Sequence, residues 1–240
     1  MECLTTDSLF NGSIRVKQNR SGYRFSIDAV LLAQHAMPSP NDTVLDLGTG
    51  CGIIPLILAY RHPKIKIYGV EVQKDLADIA VLNIAESSMD DRITIHCKDL
   101  RRLKQDMTSG PVELVVTNPP YRKLESGRLT PDHQRAVAKH EIKATLFDVV
   151  ETAHRMLQTS GRFVIIYPAE RMADIIIQMR STGMEPKYIR MIHSYRDKNA
   201  KRVLVEGKKG GHHGLKIGPP LIIYRKNGSY SDETQTMFMP

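Results

Sequence analysis

Asn118-Pro119-Pro120-Tyr121 and three acids, Asp46, Glu71 and Asp99, are the residues of this 240-residue chain whose types and spacing could do chemistry. Two successive prolines, one residue beyond the apolar run 112–117, cannot continue a central strand, so the chain must leave its sheet there. Open α/β sheets bind ligands at that carboxyl edge. With the backbone so restricted, the Asn118 side-chain oxygen and the Pro119 carbonyl can be held as two hydrogen-bond acceptors. Tyr121 adds a flat face beside them. A planar N–H2 group needs that set: its nitrogen is a poor nucleophile because the lone pair is delocalised. Accepting hydrogen bonds from both of its hydrogens favours the tetrahedral form that frees the pair, and positioning does most of the rest.

The acids follow three successive apolar runs. Asp46 lies in the run 43–47, which leads into Gly48-Thr49-Gly50-Cys51-Gly52 and the apolar segment 53–60. That reads as a strand, a tight turn and a helix, and glycines in such a turn let backbone approach a ligand closely. The spacing Gly48-x-Gly50-x-Gly52 is not the G-x-G-x-x-G of a dinucleotide turn, and a fixed negative charge at Asp46 would repel phosphate while suiting an amino or sulfonium group. A nicotinamide dehydrogenase is therefore the weaker reading. Glu71 closes a second run 19 residues after Gly52, near the spacing of about 20 at which an acid takes a ribose hydroxyl. A carboxylate can accept from two neighbouring hydroxyls at once. Asp99 follows the third run, 93–97, where an acid is also an ordinary turn former.

The elements that would position these groups follow from periodicity. Helices are expected over 74–86, over 143–157 and from Met172, with a helix capped by Ser26 or Asp28 ahead of the glycine turn. Strands are expected over 161–167, 188–193, 202–206 and 221–224, and the last three, with no helix between them, suggest an antiparallel edge. The polar stretch 122–139 is long for a connection and reads as a cover for the substrate. His140 reads as structural, and the tail from Asn227 as polar and frayed. The length suits one α/β domain over residues 1–240, with an N-terminal extension, 1–40, and a basic segment, 187–226.

The glycine turn resembles motif I of the class I S-adenosylmethionine-dependent methyltransferases, and Asn118-Pro119-Pro120-Tyr121 resembles motif IV of their amino-methylating members. Together they cover the central part of the chain. The resemblance implies a Rossmann-like, mostly parallel seven-stranded sheet with an antiparallel edge and helices on both faces. It implies S-adenosylmethionine as cofactor, held by Asp46, Gly48, Gly50, Gly52, Glu71 and Asn118, with Asp99 on the adenine amine. Phe25, in the entry Phe25-Ser26-Ile27-Asp28, would close one side of the pocket, and Asn118, Pro119 and Tyr121 would carry the catalysis.

Motif IV alone leaves the acceptor open between adenine N6, cytosine N4 and a protein glutamine N5. Charge narrows the choice. Between Lys187 and Lys226 eleven Lys and Arg stand against two acids, so this segment holds +9 of a chain whose net charge is +8. A surplus confined to one segment is a footprint for a polyanion, so Lys198, Lys201, Arg202, Lys208 and Lys209 are expected to grip RNA phosphates. Only 45 residues precede Asp46, too few for the separate substrate domain expected of a glutamine methylase. A non-catalytic RNA-binding module on the same fold is the other rival. Over its length the chain is similar to the bacterial enzymes that methylate N6 of adenosine 37 in valine tRNA, which share the Phe-Ser-x-Asp entry, the Lys-His-Glu stretch and the strand and loop 202–210. No apolar run approaches the roughly 20 residues of a membrane span, and Cys3, Cys51 and Cys97 show no metal spacing. The sequence thus predicts a cytoplasmic enzyme with no metal and no membrane partner.

Overall fold

The structure is a computed structural model that describes residues 4–20, 25–119 and 144–239. In chain order the strands are β1 Leu4–Leu9, β2 Ile14–Asn19, β3 Thr43–Leu47, β4 Lys66–Glu71, β5 Ile93–Cys97, β6 Val112–Thr117, β7 Leu157–Pro168, β8 Met184–His193, β9 Ala200–Lys209, β10 Lys216–Ile217 and β11 Leu221–Ile222. The helices are α1 Ile27–Ala36, α2 Ile53–Arg61, α3 Lys74–Glu86, α4 Leu146–Met156, α5 Met172–Ser181 and a short α6, Asp232–Thr236.

The main sheet runs β10-β8-β9-β7-β6-β3-β4-β5, and β11 also pairs with β8. Strands β5, β4, β3, β6 and β7 are mutually parallel, and β9 is antiparallel to both β7 and β8. The reversed strand is therefore one in from β8, and the two-residue strands β10 and β11 extend that edge beyond the seven expected strands. Successive residues of the central strands enter opposite cores, as they must in a sheet covered on both faces. Val44, Leu114, Val116, Val164 and Leu204 pack on the side of α1, α2 and Ile79 and Ile84 of α3. Leu45, Val115, Phe163, Ile165 and Val203 pack on the side of α4 and α5.

Three features depart from the expected elements. The N-terminal extension forms an antiparallel hairpin of β1 and β2. Strand β9 runs on to Lys209 through residues read as loop, because Gly207 and Lys208 still pair with β7. The tail does not fray: Ser231 caps α6 by accepting from the Thr234 N–H, Met237 is buried, and Arg61 donates to the Met237 carbonyl at 2.6 Å.

Candidate active site

The glycine turn connects β3 to α2, with φ of 77° at Gly48, 56° at Gly50 and 84° at Gly52, a region L side chains rarely adopt. It is tied to the neighbouring strand: the N–H groups of Gly48 and Thr49 both donate to the Val70 carbonyl, at 2.9 and 3.0 Å. Gly50 donates to Glu71 Oε2 at 3.0 Å, while the Gln73 N–H donates to Oε1 at 2.9 Å. Each Glu71 oxygen is thus oriented by a backbone donor; Oε1 also accepts from Gln73 Nε2 at 3.5 Å, a long contact that a ligand hydroxyl could replace, and Oε2 keeps a second lone pair for another. Gly69 on β4 makes the approach possible, since a Cβ there would lie 2.6 Å from Ile95 Cδ1 and 2.9 Å from Thr49 Oγ1.

Asp46 is fully buried, and among the described residues neither of its oxygens has a hydrogen-bond partner; nor does Thr49 Oγ1. Burial pushes the Asp46 carboxyl up to about 7. The nearby Thr49 hydroxyl opposes the rise without reaching bonding geometry, and the Glu71 charge adds to it. The negative charge expected at Asp46 from the sequence is therefore one that burial works against. An orphaned buried carboxylate beside a backbone cradle fits a cationic ligand group, which would return the charge it lacks in the bare site. Burial drives the Cys51 thiol in the same turn up to about 11, so it is no nucleophile.

Asp99, on the next strand end along, accepts from the Arg101 N–H at 3.0 Å and from the Arg101 guanidinium at 2.6 Å, which holds its carboxyl below the usual range. On the other side of β3, Thr117 Oγ1 donates to the Leu47 carbonyl at 2.8 Å, locking the end of β6 to the end of β3 immediately before Asn118. Asn118 is half-buried and Pro119 buried. Tyr121, the stretch 122–139 and His140 lie outside the described residues.

Two positioning residues were not singled out from the sequence. Asn83 on α3 is fully buried; its Nδ2 donates to the carbonyls of Cys51 and Lys17, at 2.9 and 3.0 Å, and its Oδ1 accepts from the Lys17 N–H at 2.8 Å. It fastens the β2 strand to the glycine turn. Gln18, next along β2 and also buried, accepts the Phe25 N–H at 2.8 Å and donates to Asp7. Through this pair the hairpin holds the half-buried Phe25 in relation to the turn. A polar residue on the apolar face of α3 was the available signal for Asn83.

The basic residues do not come together. Arg202 pairs with Pro168 across β7 and β9, whereas Lys208 pairs with Arg162 at the other end of the same strands. Six residues of strand separate them by roughly 20 Å. Lys198, Lys201 and Arg202 thus lie at the carboxyl edge with Asn118, and Lys208 and Lys209 at the opposite edge. Arg202 Nε donates to Asp28 Oδ2 at 2.9 Å, and Lys209 Nζ to the Leu157 carbonyl at 2.7 Å.

The profile of the methyltransferase small domain matches residues 21–181. A tRNA1(Val) (adenine(37)-N6)-methyltransferase of Porphyromonas gingivalis is 30% identical, over 91% of this chain and 88% of its own length. Another enzyme so named, from Vibrio campbellii, is 26% identical over 90% and 87%. Among solved structures, a predicted O-methyltransferase of Agrobacterium tumefaciens superposes with a TM-score of 0.70 at 23% identity, covering 88% of this chain and 94% of that one. The geranyl diphosphate C-methyltransferase of Streptomyces coelicolor, solved with S-adenosyl-L-homocysteine, gives 0.53 at 16% identity over 75% and 78%. With its glycine turn, acid-ended strands and sheet order, the chain belongs to the methyltransferase small domain family and is an S-adenosylmethionine-dependent N-methyltransferase.

Proposed function

We propose that this enzyme methylates N6 of an adenine in tRNA, adenine 37 of valine tRNA, the target its relatives carry in their names. The observation that carries the reading is the placement of Asn118. Its strand β6 lies beside β3, one strand spacing of about 4.8 Å from the strand that ends in the glycine turn. The turn, Asp46 and Glu71 form the cofactor side, Phe25 and Asp99 flank it, and Asn118 with Pro119 forms the acceptor side. S-adenosylmethionine supplies a methyl group on a sulfonium sulfur. The protein's part is to accept hydrogen bonds from the N6 amine at Asn118 and the Pro119 carbonyl, freeing the lone pair toward that methyl group; the alkylated nitrogen, made acidic by its new positive charge, would then lose one proton to solvent, so no strong base is required. Lys198, Lys201 and Arg202, on the same edge, would take phosphates of the RNA; Lys208 and Lys209 would reach only a distant part of it. On the strength of a tRNA substrate we place the reaction in the cytoplasm; among the described residues no helix is long and apolar enough to cross a membrane.

The test is transfer of labelled methyl from S-adenosylmethionine to bulk unmodified tRNA, followed by nuclease digestion and mass spectrometry of the nucleosides. N6-methyladenosine mapping to position 37 of valine tRNA is the expected product. Label on protein glutamine, or no label on RNA, would overturn the assignment.

A further inference from the structure

At the carboxyl end of β8 and the amino end of β9, which runs antiparallel to it, a cleft of about 270 Å³ is lined by Ile27, Asp28, Leu31, Ile192, Ser194, Lys201, Arg202, Ile223 and Tyr224. We propose that it is a base-binding subsite for a nucleotide adjoining the target adenine in the RNA. The proposal rests on the RNA-methylating reading and assigns a second contact to the same substrate.

Position along the sheet edge is the first support. The residues on the cofactor side follow β5, β4 and β3, Asn118 follows β6, and the cleft lies beyond β7. Asn118 therefore stands between the two. Strand β9 is two strand spacings from β6, about 10 Å, so a nucleotide next to one held at Asn118 falls on this side of it. The cofactor residues are on the other side.

The lining is the second support. Leu31, Ile192 and Ile223 are buried and make an apolar floor. Tyr224 forms one wall, and its ring is pinned: it stacks on Tyr230 at 5.4 Å, which stacks on Phe238 at 5.2 Å, and the tilted ring of Tyr195 lies 5.5 Å away. Such a wall loses little freedom when a ligand arrives. Over this floor stand Lys201 and Arg202. Arg202 bridges the cleft by donating from Nε to Asp28 Oδ2 and from Nη1 to the Lys201 carbonyl, at 2.9 and 3.1 Å. The Arg202 guanidinium thereby offsets the charge of the Asp28 carboxylate at the rim of the cleft. A phosphate alone would have no use for the apolar floor, and an aliphatic ligand none for the cations. A planar heterocycle on a sugar-phosphate uses all of them, as single-stranded nucleic acid sites do. The volume falls just under the roughly 300 Å³ at which sites for whole small molecules begin, a size for one ring system.

The test uses the full chain and a stem-loop RNA carrying the target adenine, either intact or made abasic at the nucleotide 5′ or 3′ of it. Binding should weaken by about five- to a hundredfold when the base that enters the cleft is removed. Ser194 holds the Tyr224 N–H through its backbone carbonyl, so Ser194→Phe fills the cleft without breaking that bond. This variant should bind intact RNA as weakly as the native chain binds the abasic RNA, with no further loss on the abasic RNA. Its cofactor affinity should be unchanged. Lys201→Ala, which leaves the floor untouched, should weaken every RNA by the same smaller factor. Equal binding of intact and abasic RNAs by the native chain, or equal losses from Ser194→Phe on both, would overturn the subsite. If the native chain methylates intact RNA while showing no abasic effect, the subsite alone falls; if it methylates no RNA, the functional reading falls with it.

Discussion

Asp46→Asn should stabilise the ligand-free enzyme above neutral pH and at the same time cost it the cofactor. The folded-state carboxyl titrates at about 7 against an ordinary value of 3.8. Between those two values the folded chain holds a proton that the unfolded chain has lost, so stability falls as pH rises through that window. A difference of about three units, at ~1.4 kcal/mol each, sets about 4 kcal/mol against the fold once the carboxyl is ionised in both states. Asparagine has nearly the same shape and carries no charge at any pH. Its amide replaces two oxygens that have no partner among the described residues, and an unmatched buried amide costs roughly 1–3 kcal/mol of that gain. Urea unfolding should therefore show a net gain of about 1–3 kcal/mol at pH 8 and none, or a small loss, at pH 5. Calorimetry should show the opposite for the cofactor. The native enzyme should bind S-adenosylmethionine about tenfold more weakly for each pH unit below 7, because a proton must leave before the carboxylate can meet a cation, and the variant should bind weakly at every pH. Equal destabilisation at both pH values, with unchanged cofactor affinity, would refute the reasoning.

Glu71→Ala should weaken cofactor binding by roughly 1–3 kcal/mol, the cost of poorly matched hydroxyls, and should loosen the turn through the lost Gly50 contact; calorimetry measures the first. Asn118→Ala should lower turnover by about two to three orders of magnitude, as removal of one preorganised polar group does, with cofactor affinity little changed in single-turnover and binding assays. Asn83→Ala leaves the Cys51 carbonyl and both Lys17 backbone groups without their partner. Thermal unfolding should report a loss of roughly 3 kcal/mol, and KM for S-adenosylmethionine should rise more than kcat falls. Charge removal at Lys198 and Lys201 should reduce the slope of log affinity for tRNA against log salt by somewhat under about one unit per contact, and the same change at Lys208 and Lys209 should reduce it less.

Where residues act through local backbone, sequence and structure agree closely. The glycine turn needs positive φ at alternate positions, and strand, turn and helix followed from that. Glu71 stood out because its distance from Gly52 is set by the length of one helix and one strand. Asn83 and Gln18 act otherwise. Each joins segments far apart in the chain, Lys17 to Cys51 and Asp7 to Phe25, and nothing in the spacing of the residues encodes which backbone groups a buried amide will meet. The environment of Asp46 was hidden for the same reason. Its charge was read as fixed because a sequence does not display burial, and the strands that desolvate it, β4 and β6, come later in the chain.

Charge counting met its limit in β9. A surplus of +9 over residues 187–226 was a sound reason to expect a polyanion, but a strand carries its residues across the whole width of the sheet. Lys201 and Lys208 are seven residues apart, and the extended chain places them at opposite edges of the molecule. Arg202 is further withdrawn by Asp28, and Lys209 is engaged with the Leu157 carbonyl. On the proposed reading, electrostatic attraction for RNA at the acceptor side would rest on fewer charges than the total, and the aromatic cleft beside them would take a larger share in holding the substrate. If Lys198, Lys201 and the cleft form one surface, Ser194→Phe and removal of the two lysines should be non-additive in RNA affinity, coupling by roughly 0.5–3 kcal/mol in a double-mutant cycle; strict additivity would separate phosphate grip from base contact.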